Sequence, residues 1–236
     1  LKIPLPSYNS KDNFLKTGLS TSQSERDYRS RVFDLRTSSA HPFIRIGDPN
    51  IFLAPENERF VSYYNFPANF HYQGEQSIQA YYGMAEWAAF EWLRLSGGAR
   101  AESTDLRVTT INLTKANERF HSSIRRDDLL PALSATVFLR TNVLLRAAWS
   151  ETVVRPTYRE ISRAALYDVA QSRTIVGNEN LTMSDSRNYD LRLEWYPREG
   201  ELISVGAFMK RIDSPIEQAS QDVNNDIIFH NNYDRA

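Results

Sequence analysis

The sequence predicts an all-β fold, an antiparallel transmembrane β-barrel. Three observations lead there. Apolar and polar residues alternate with period two over runs long enough to cross a bilayer as tilted strands. Tight turns alternate along the chain with long polar connections, as in barrels with short turns on one rim and long loops on the other. Aromatic residues, which favour strands, make up 12% of the 236 residues, while mean hydropathy is only −0.51.

The clearest strand runs from Tyr189 to Tyr196. Tyr189, Leu191, Leu193 and Trp195 share one face; Asp190, Arg192 and Glu194 share the other. Pro197-Arg198-Glu199-Gly200 reads as a turn into a second strand, Glu201 to Arg211, with Ile203, Val205, Ala207 and Met209 on its apolar side. Asp128 to Leu139 has the same form and leads through Arg140-Thr141-Asn142 into a strand with Leu145, Ala147, Trp149 and Val153 on one side. Upstream, Ser77 to Trp87 assigns Ile78, Ala80, Tyr82 and Met84 to the apolar face. A turn near 88–91 precedes Trp92 to Val108. Phe14 to Phe33 is another long strand, with Leu1 to Leu5 as its partner across a turn at 6–12. The long connections fall at about 36–69, 110–127, 155–186 and 217–226.

Several function classes drop out. With 28 Lys+Arg against 29 Asp+Glu, the chain lacks the basic excess of a nucleic-acid binder. It has no Cys, which removes disulfides, thiolate metal sites and a cysteine nucleophile. His41, His71, His121 and His230 show no metal-ligand spacing, so no metal or cofactor is expected. Glu75 and Glu86 are no evidence of paired-carboxylate hydrolysis, and no Gly-x-Ser-x-Gly elbow is present; the chain does not read as an enzyme. The charge runs Glu25-Arg26-Asp27-Tyr28-Arg29 and Arg125-Arg126-Asp127-Asp128 read as solvated rim. Tyr82, Trp149, Tyr189 and Trp195, near strand ends on the apolar side, are candidate membrane-interface aromatics.

An ordered series of segments resembles the barrel of TonB-dependent outer-membrane receptors. LRAAWSETVVRPTYREIS is similar to a late barrel strand of that family that ends in Arg-Pro. GNENLTMSDSRNYDLRLEWYP and ISVGAFMKRIDSPIE follow in family order. LLPALSATVFL, IQAYYGMAEW and LRLSGGARAES match further strands. The resemblance covers roughly residues 12 to 236 and departs from the family pattern at Glu179 and at Thr182-Met183, in an expected extracellular loop.

The resemblance implies about eight or nine strands of a barrel that the family builds from 22, in the bacterial outer membrane, as a single domain over 1–236 without a plug domain. It implies energy-coupled uptake of a scarce ligand: an iron chelate, cobalamin or an oligosaccharide. The partners implied are outer-membrane lipid, the ligand, and the TonB energy-coupling complex acting through the missing plug. Loops 36–69, 110–127 and 155–186 are expected to capture the ligand. Arg94, Arg100, Arg146 and Arg192 on the polar face are candidates to attract an anion. Tyr63, Tyr64, Phe66 and Tyr158 are candidates to stack on sugars or aromatic chelators. A passive porin-like barrel and a soluble β-sandwich carbohydrate-binding module or glycoside-acting enzyme are the other readings.

Overall fold

A computed structural model describes residues 1–5, 13–29, 33–37, 55, 61–65, 70–113, 118–168, 173–220 and 227–235. The turn expected at 6–12, most of the 36–69 loop, His41 and Phe66 lie outside the described residues.

The main body is an eight-stranded antiparallel meander. Its strands, in spatial and chain order, are β1 (Lys2–Leu5), β2 (Asn13–Arg29), β5 (Phe70–Phe90), β6 (Leu93–Asn112), β7 (Glu118–Arg140), β8 (Val143–Val154), β11 (Ser184–Trp195) and β12 (Ile203–Asp213). The sheet is open, with β1 and β12 as its edges. Two smaller sheets stand at the long-loop rim: the hairpin β3 (Phe33–Thr37) with β4 (Val61–Asn65), and a mixed sheet in the order β13 (Ile216–Ser220), β14 (Ile227–Asn232), β10 (Arg173–Val176), β9 (Ala165–Asp168). One helical turn, α1 (Tyr158–Ile161), lies between β8 and β9.

Register divides the wall into two faces. Residues paired across an antiparallel ladder share a face. The pairings Gly18↔Tyr82, Tyr82↔Arg100, Arg100↔Leu130, Thr136↔Arg146 and Arg146↔Arg192 put even-numbered residues together. The odd face carries Leu19, Tyr81, Trp87, Leu95, Leu129, Leu133, Leu191, Leu193, Val205 and Met209, all exposed. Nothing among the described residues packs on it, which overturns the sandwich reading: a sandwich would seal this face against a second sheet. An uncovered apolar face of this extent is the outer surface of a membrane barrel.

The odd face has sharp limits. Ala101 gives way to Ser103 and Asp105, Leu129 to Asp127, Trp149 to Glu151, Tyr189 to Arg187 and Met209 to Arg211. On β6 the apolar stretch Leu93–Ala101 rises about 27 Å along the strand, at about 3.4 Å per residue, which suits a tilted crossing of the bilayer. Aromatics mark both limits. Tyr81 and the cross-strand pair Trp149 and Tyr189 stand at the long-loop side. Trp87, Trp195 and the stacked Phe90 and Trp92 (ring centroids 5.3 Å apart) stand at the short-turn side.

The register corrects the placement of Tyr82. It faces inward with Arg100, and its ring lies over Gly18, where a Cβ would meet the ring at 2.6 Å. Both faces of this strand are apolar, so alternation alone could not choose between Tyr81 and Tyr82. The connection expected at 110–127 is also corrected. β6 and β7 pair without a break to Asn112↔Glu118, which leaves only 113–117 between them. There the alternation inverts: Leu106, Val108 and Ile124 face inward, while Asp105, Arg107 and Arg125 face outward into water. The turn expected at 88–91 is a two-residue turn at Glu91-Trp92, because β5 continues to Phe90.

Leu191 and Arg192 are adjacent residues on opposite faces. Leu191→Arg is expected to destabilise the membrane-embedded barrel by about 2–4 kcal/mol, whereas Arg192→Leu changes stability far less. Urea unfolding of the intact protein in lipid vesicles measures both; equal effects would contradict the assignment of faces.

Candidate functional site: the inner wall and the folded-in loop

The inner face carries the charged side chains of the membrane span, and its arginines are paired. Arg94 Nη1 lies 3.0 Å from Glu86 Oε1. Arg146 and Arg192, directly opposite one another, both bind Glu194, at 3.1 and 3.2 Å, and Tyr196 donates to the same carboxylate at 3.0 Å. Arg146 also donates to Thr136 Oγ1 at 3.2 Å. Farther out, Glu102 is held between Arg100 and Arg155, and Arg155 donates to Thr104 Oγ1 at 3.0 Å. Removing charges from water costs free energy unless each is paired and hydrogen-bonded, so these inner carboxylates, only 6% and 9% exposed for Glu194 and Glu102, require their arginines. Thus all four predicted arginines lie on the inner face, but each sits beside a carboxylate, and they fall into three separate clusters. The field they present to an incoming anion is correspondingly weak.

Outside the apolar band the outer face is ion-paired as well. Asp105 accepts from Arg107 at 2.6 Å and lies 3.1 Å from Arg125. The hydrogen bond from Arg107, beyond the membrane span, holds the Asp105 carboxyl below its usual range.

The connection 155–183 folds back against the inner face. Arg155-Pro156 ends the β8 strand and turns the chain inward, where Arg155 meets Glu102. Thr157 and Glu160 then close a capping box around α1: Thr157 Oγ1 accepts from the Glu160 amide at 3.3 Å, and the Glu160 carboxylate accepts from the Thr157 amide at 2.7 Å. Ile161 and Ala164 bury themselves against Tyr72, Leu106 and Val108, with Tyr28, Phe70, Ile124 and Tyr158 around them. This is why the inner face turns apolar at the rim. Tyr158 packs its ring on Gly74 and donates to the Ser24 carbonyl at 2.9 Å. Ser122 donates to the Ile161 carbonyl at 3.2 Å, and Thr110 Oγ1 accepts from the Arg163 amide at 3.2 Å. The Arg163 guanidinium stands 4.1 Å from the centre of the Phe120 ring.

This loop is tied to the one that follows β12. β10 pairs in parallel with β14. Asn178 donates to the His230 carbonyl and to Asn231, both at 3.1 Å. Asn232 exchanges hydrogen bonds with the Thr182 backbone at 2.8 and 3.2 Å. Gly177 lies against the carbonyls of Arg159, Glu160 and Ser162, where any Cβ would collide with backbone. The connections expected at 155–186 and 217–226 are therefore partly one folded unit.

Of the predicted stackers, Tyr158 is an anchor whose ring and hydroxyl are both engaged. Tyr63 and Tyr64 lie in β4, and their side chains are outside the described residues. Trp149 and Tyr189 share the outward aromatic row at the long-loop side, and Trp195 belongs to the outward row at the short-turn side. Sequence reasoning missed Glu102, Arg155, Gly177, Asn178 and Asn232 as organisers of the site. Arg155-Pro156 was a visible stop signal, but its partner Glu102 lies 53 residues away. His71 binds Asp27 at 3.1 Å and His121 lies 3.1 Å from Thr109. Among the described residues no three or more histidine, aspartate or glutamate side chains converge as a metal cage.

Gly177→Ala is expected to displace the folded-in loop at a cost of about 1–3 kcal/mol, the usual range for overpacking. Limited proteolysis of the intact protein should then cut within 155–183 while the barrel keeps its heat-modifiable gel migration. Tyr158→Phe keeps the ring on Gly74 and loses the hydroxyl contacts, so its effect on the same assay should be smaller, about 1 kcal/mol.

Comparison with known proteins agrees with this architecture. The family model described as TonB dependent receptor-like, beta-barrel matches residues 5–236. No curated protein matches the sequence. The haemophore receptor HasR of Serratia marcescens, solved as a double mutant with its haemophore HasA and haem, superposes with a TM-score of 0.55 at 14% identity, over 94% of this chain and 38% of that one. The ferric-catecholate import receptor Fiu of E. coli K12 superposes with a TM-score of 0.59 at 10% identity, over 99% of this chain and 32% of that one. The chain thus spans about a third of the length of these receptors. Such identities establish a shared fold, and the family match accounts for it: the chain belongs to the TonB-dependent receptor-like β-barrels of the bacterial outer membrane.

Proposed function

We propose that this chain forms part of the wall and outer rim of a receptor that takes up a small, scarce ligand, an iron chelate such as haem or a ferric catecholate, at the expense of inner-membrane energy. The observation that carries this reading is the pairing of a bare apolar outer face with a polar, ion-paired inner face on which a structured loop is docked. A general porin needs a wet open lumen; here the inner face at the rim is filled by Ile161, Ala164 and Tyr158. Free passage is narrowed and contact with a ligand increased. The comparison receptors for haem and ferric catecholate support the ligand class. Energy coupling passes, in this reading, through a plug domain outside this chain.

The inner arginines keep a secondary role. Arg146 and Arg192 share Glu194, so a bound anion competes with an internal carboxylate for them. The folded unit built from α1, β9, β10, β13 and β14 contributes more to recognition, because Asn178 and Asn232 tie its two connections together.

The test is uptake of radiolabelled haem, ferric enterobactin, cobalamin and maltodextrin by cells that carry the intact receptor as their only route. One iron chelate should enter, and a protonophore should abolish its entry. Entry that survives the protonophore would identify a passive pore. Entry of cobalamin or maltodextrin alone would overturn the ligand class.

A further inference from the structure

The wall has a seam. The ladder between β7 and β8 runs from the short-turn end as far as Ala132↔Ser150 and stops. The next residue on β7 is Pro131, which has no N–H to give a ladder. The β6–β7 ladder continues past it without interruption, through Ala99↔Pro131 and on to Asn112↔Glu118. Proline therefore breaks the pairing on the β8 side alone. Beyond it, β7 and the β8–β11 pair diverge around a crevice of ≈ 330 Å³.

The crevice is lined from both faces of the wall. It carries five carboxylates, Asp127, Asp128, Glu151, Asp185 and Asp213, against two guanidiniums, Arg126 and Arg187. Arg126 binds Asp128 Oδ1 at 2.7 Å and also holds Asp185; Arg187 lies 3.3 Å from Glu151, and Arg235 lies 3.1 Å from Asp213. Counting Arg235, the charge is five negative against three positive. The Asp128 side chain is only 4% exposed, and its Oδ2 has no hydrogen-bond partner. A buried carboxylate oxygen without a donor is rare in native proteins, because its lost hydration is not replaced.

We propose that this seam is a cation site, with Asp128 as its buried anchor and a hydrated divalent cation as its occupant. The net negative charge selects a cation. Among the described residues no three carboxylates converge as a closed cage, which favours an ion that keeps most of its water and binds through one or two carboxylates, as Mg²⁺ does. The cation bridges Asp128 to the β8–β11 side of the gap through water, and closes the wall where the backbone ladder cannot.

Calorimetric titration of the EDTA-stripped intact receptor with MgCl₂ tests this. Wild type should bind one ion that Asp128→Asn binds about tenfold more weakly or not at all, as expected for loss of a principal ligand. Asp185→Asn, at a more exposed position, should also weaken binding while retaining heat-modifiable migration. It decides the matter if Asp128→Asn does not fold. No binding by wild type, or equal binding by wild type and the folded variants, would overturn the proposal.

Discussion

A strand that crosses hydrocarbon has no water to satisfy its N–H and C=O groups, so a neighbour must satisfy them on both edges. Every larger feature of this chain follows from that constraint. It makes consecutive strands pair as a meander, gives them their length, and leaves β1 and β12 as edges that a closed wall must pair. It also sets where irregularity is allowed. The β7–β8 ladder persists to the level of Trp149, in the outward aromatic row, and lapses at the next outward residue of β8, Glu151. Pro131 sits at that boundary, at the point where water can take over from the neighbouring strand.

Once pairing is fixed, the period of two assigns every side chain to lipid or lumen. In the membrane span the outward set is apolar apart from Thr17, and the inward set holds Arg94, Arg100, Arg146 and Arg192 with their carboxylates. Past the aromatic rows the solvents change places. Water lies outside, the folded-in loop lies inside, and the apolar residues follow: Leu106, Val108 and Tyr72 point inward against Ile161. A single chain of alternation thus serves two environments with opposite phase.

That inversion explains what the sequence did and did not disclose. Strands β8, β11 and β12 were legible because one face is apolar and the other is interrupted by charge, Arg146 on β8, Asp190, Arg192 and Glu194 on β11 and Lys210 on β12. The outer ends of β6 and β7 resemble loop because their odd-numbered positions, apart from Ile111, are polar or charged. Tyr82 was placed outward because Ile78, Ala80 and Met84 are as apolar as Tyr81, Ala85 and Trp87; only pairing with Gly18 and Arg100 decides it. The inner ion pairs were half visible: the arginines stood out by alternation, but their partners are set by register across strands. The docking of 155–183 depends on contacts such as Arg155 with Glu102 and Tyr158 with Ser24, which no local pattern announces.

The account rests on the claim that, within the membrane span, odd-numbered wall residues meet lipid and even-numbered ones face the lumen. The chain has no native cysteine, so single cysteines report cleanly. With the intact receptor in native outer membranes, Leu145→Cys and Arg146→Cys can each be carried as the only thiol and tested with a membrane-impermeant maleimide and, after labelling with a fluorophore in detergent and reconstitution, with a lipid-borne quencher. The account predicts that position 146 reacts with the maleimide and resists the quencher, and that position 145 does the reverse. Equal behaviour at the two positions, or protection of 145 from both reagents, would contradict it.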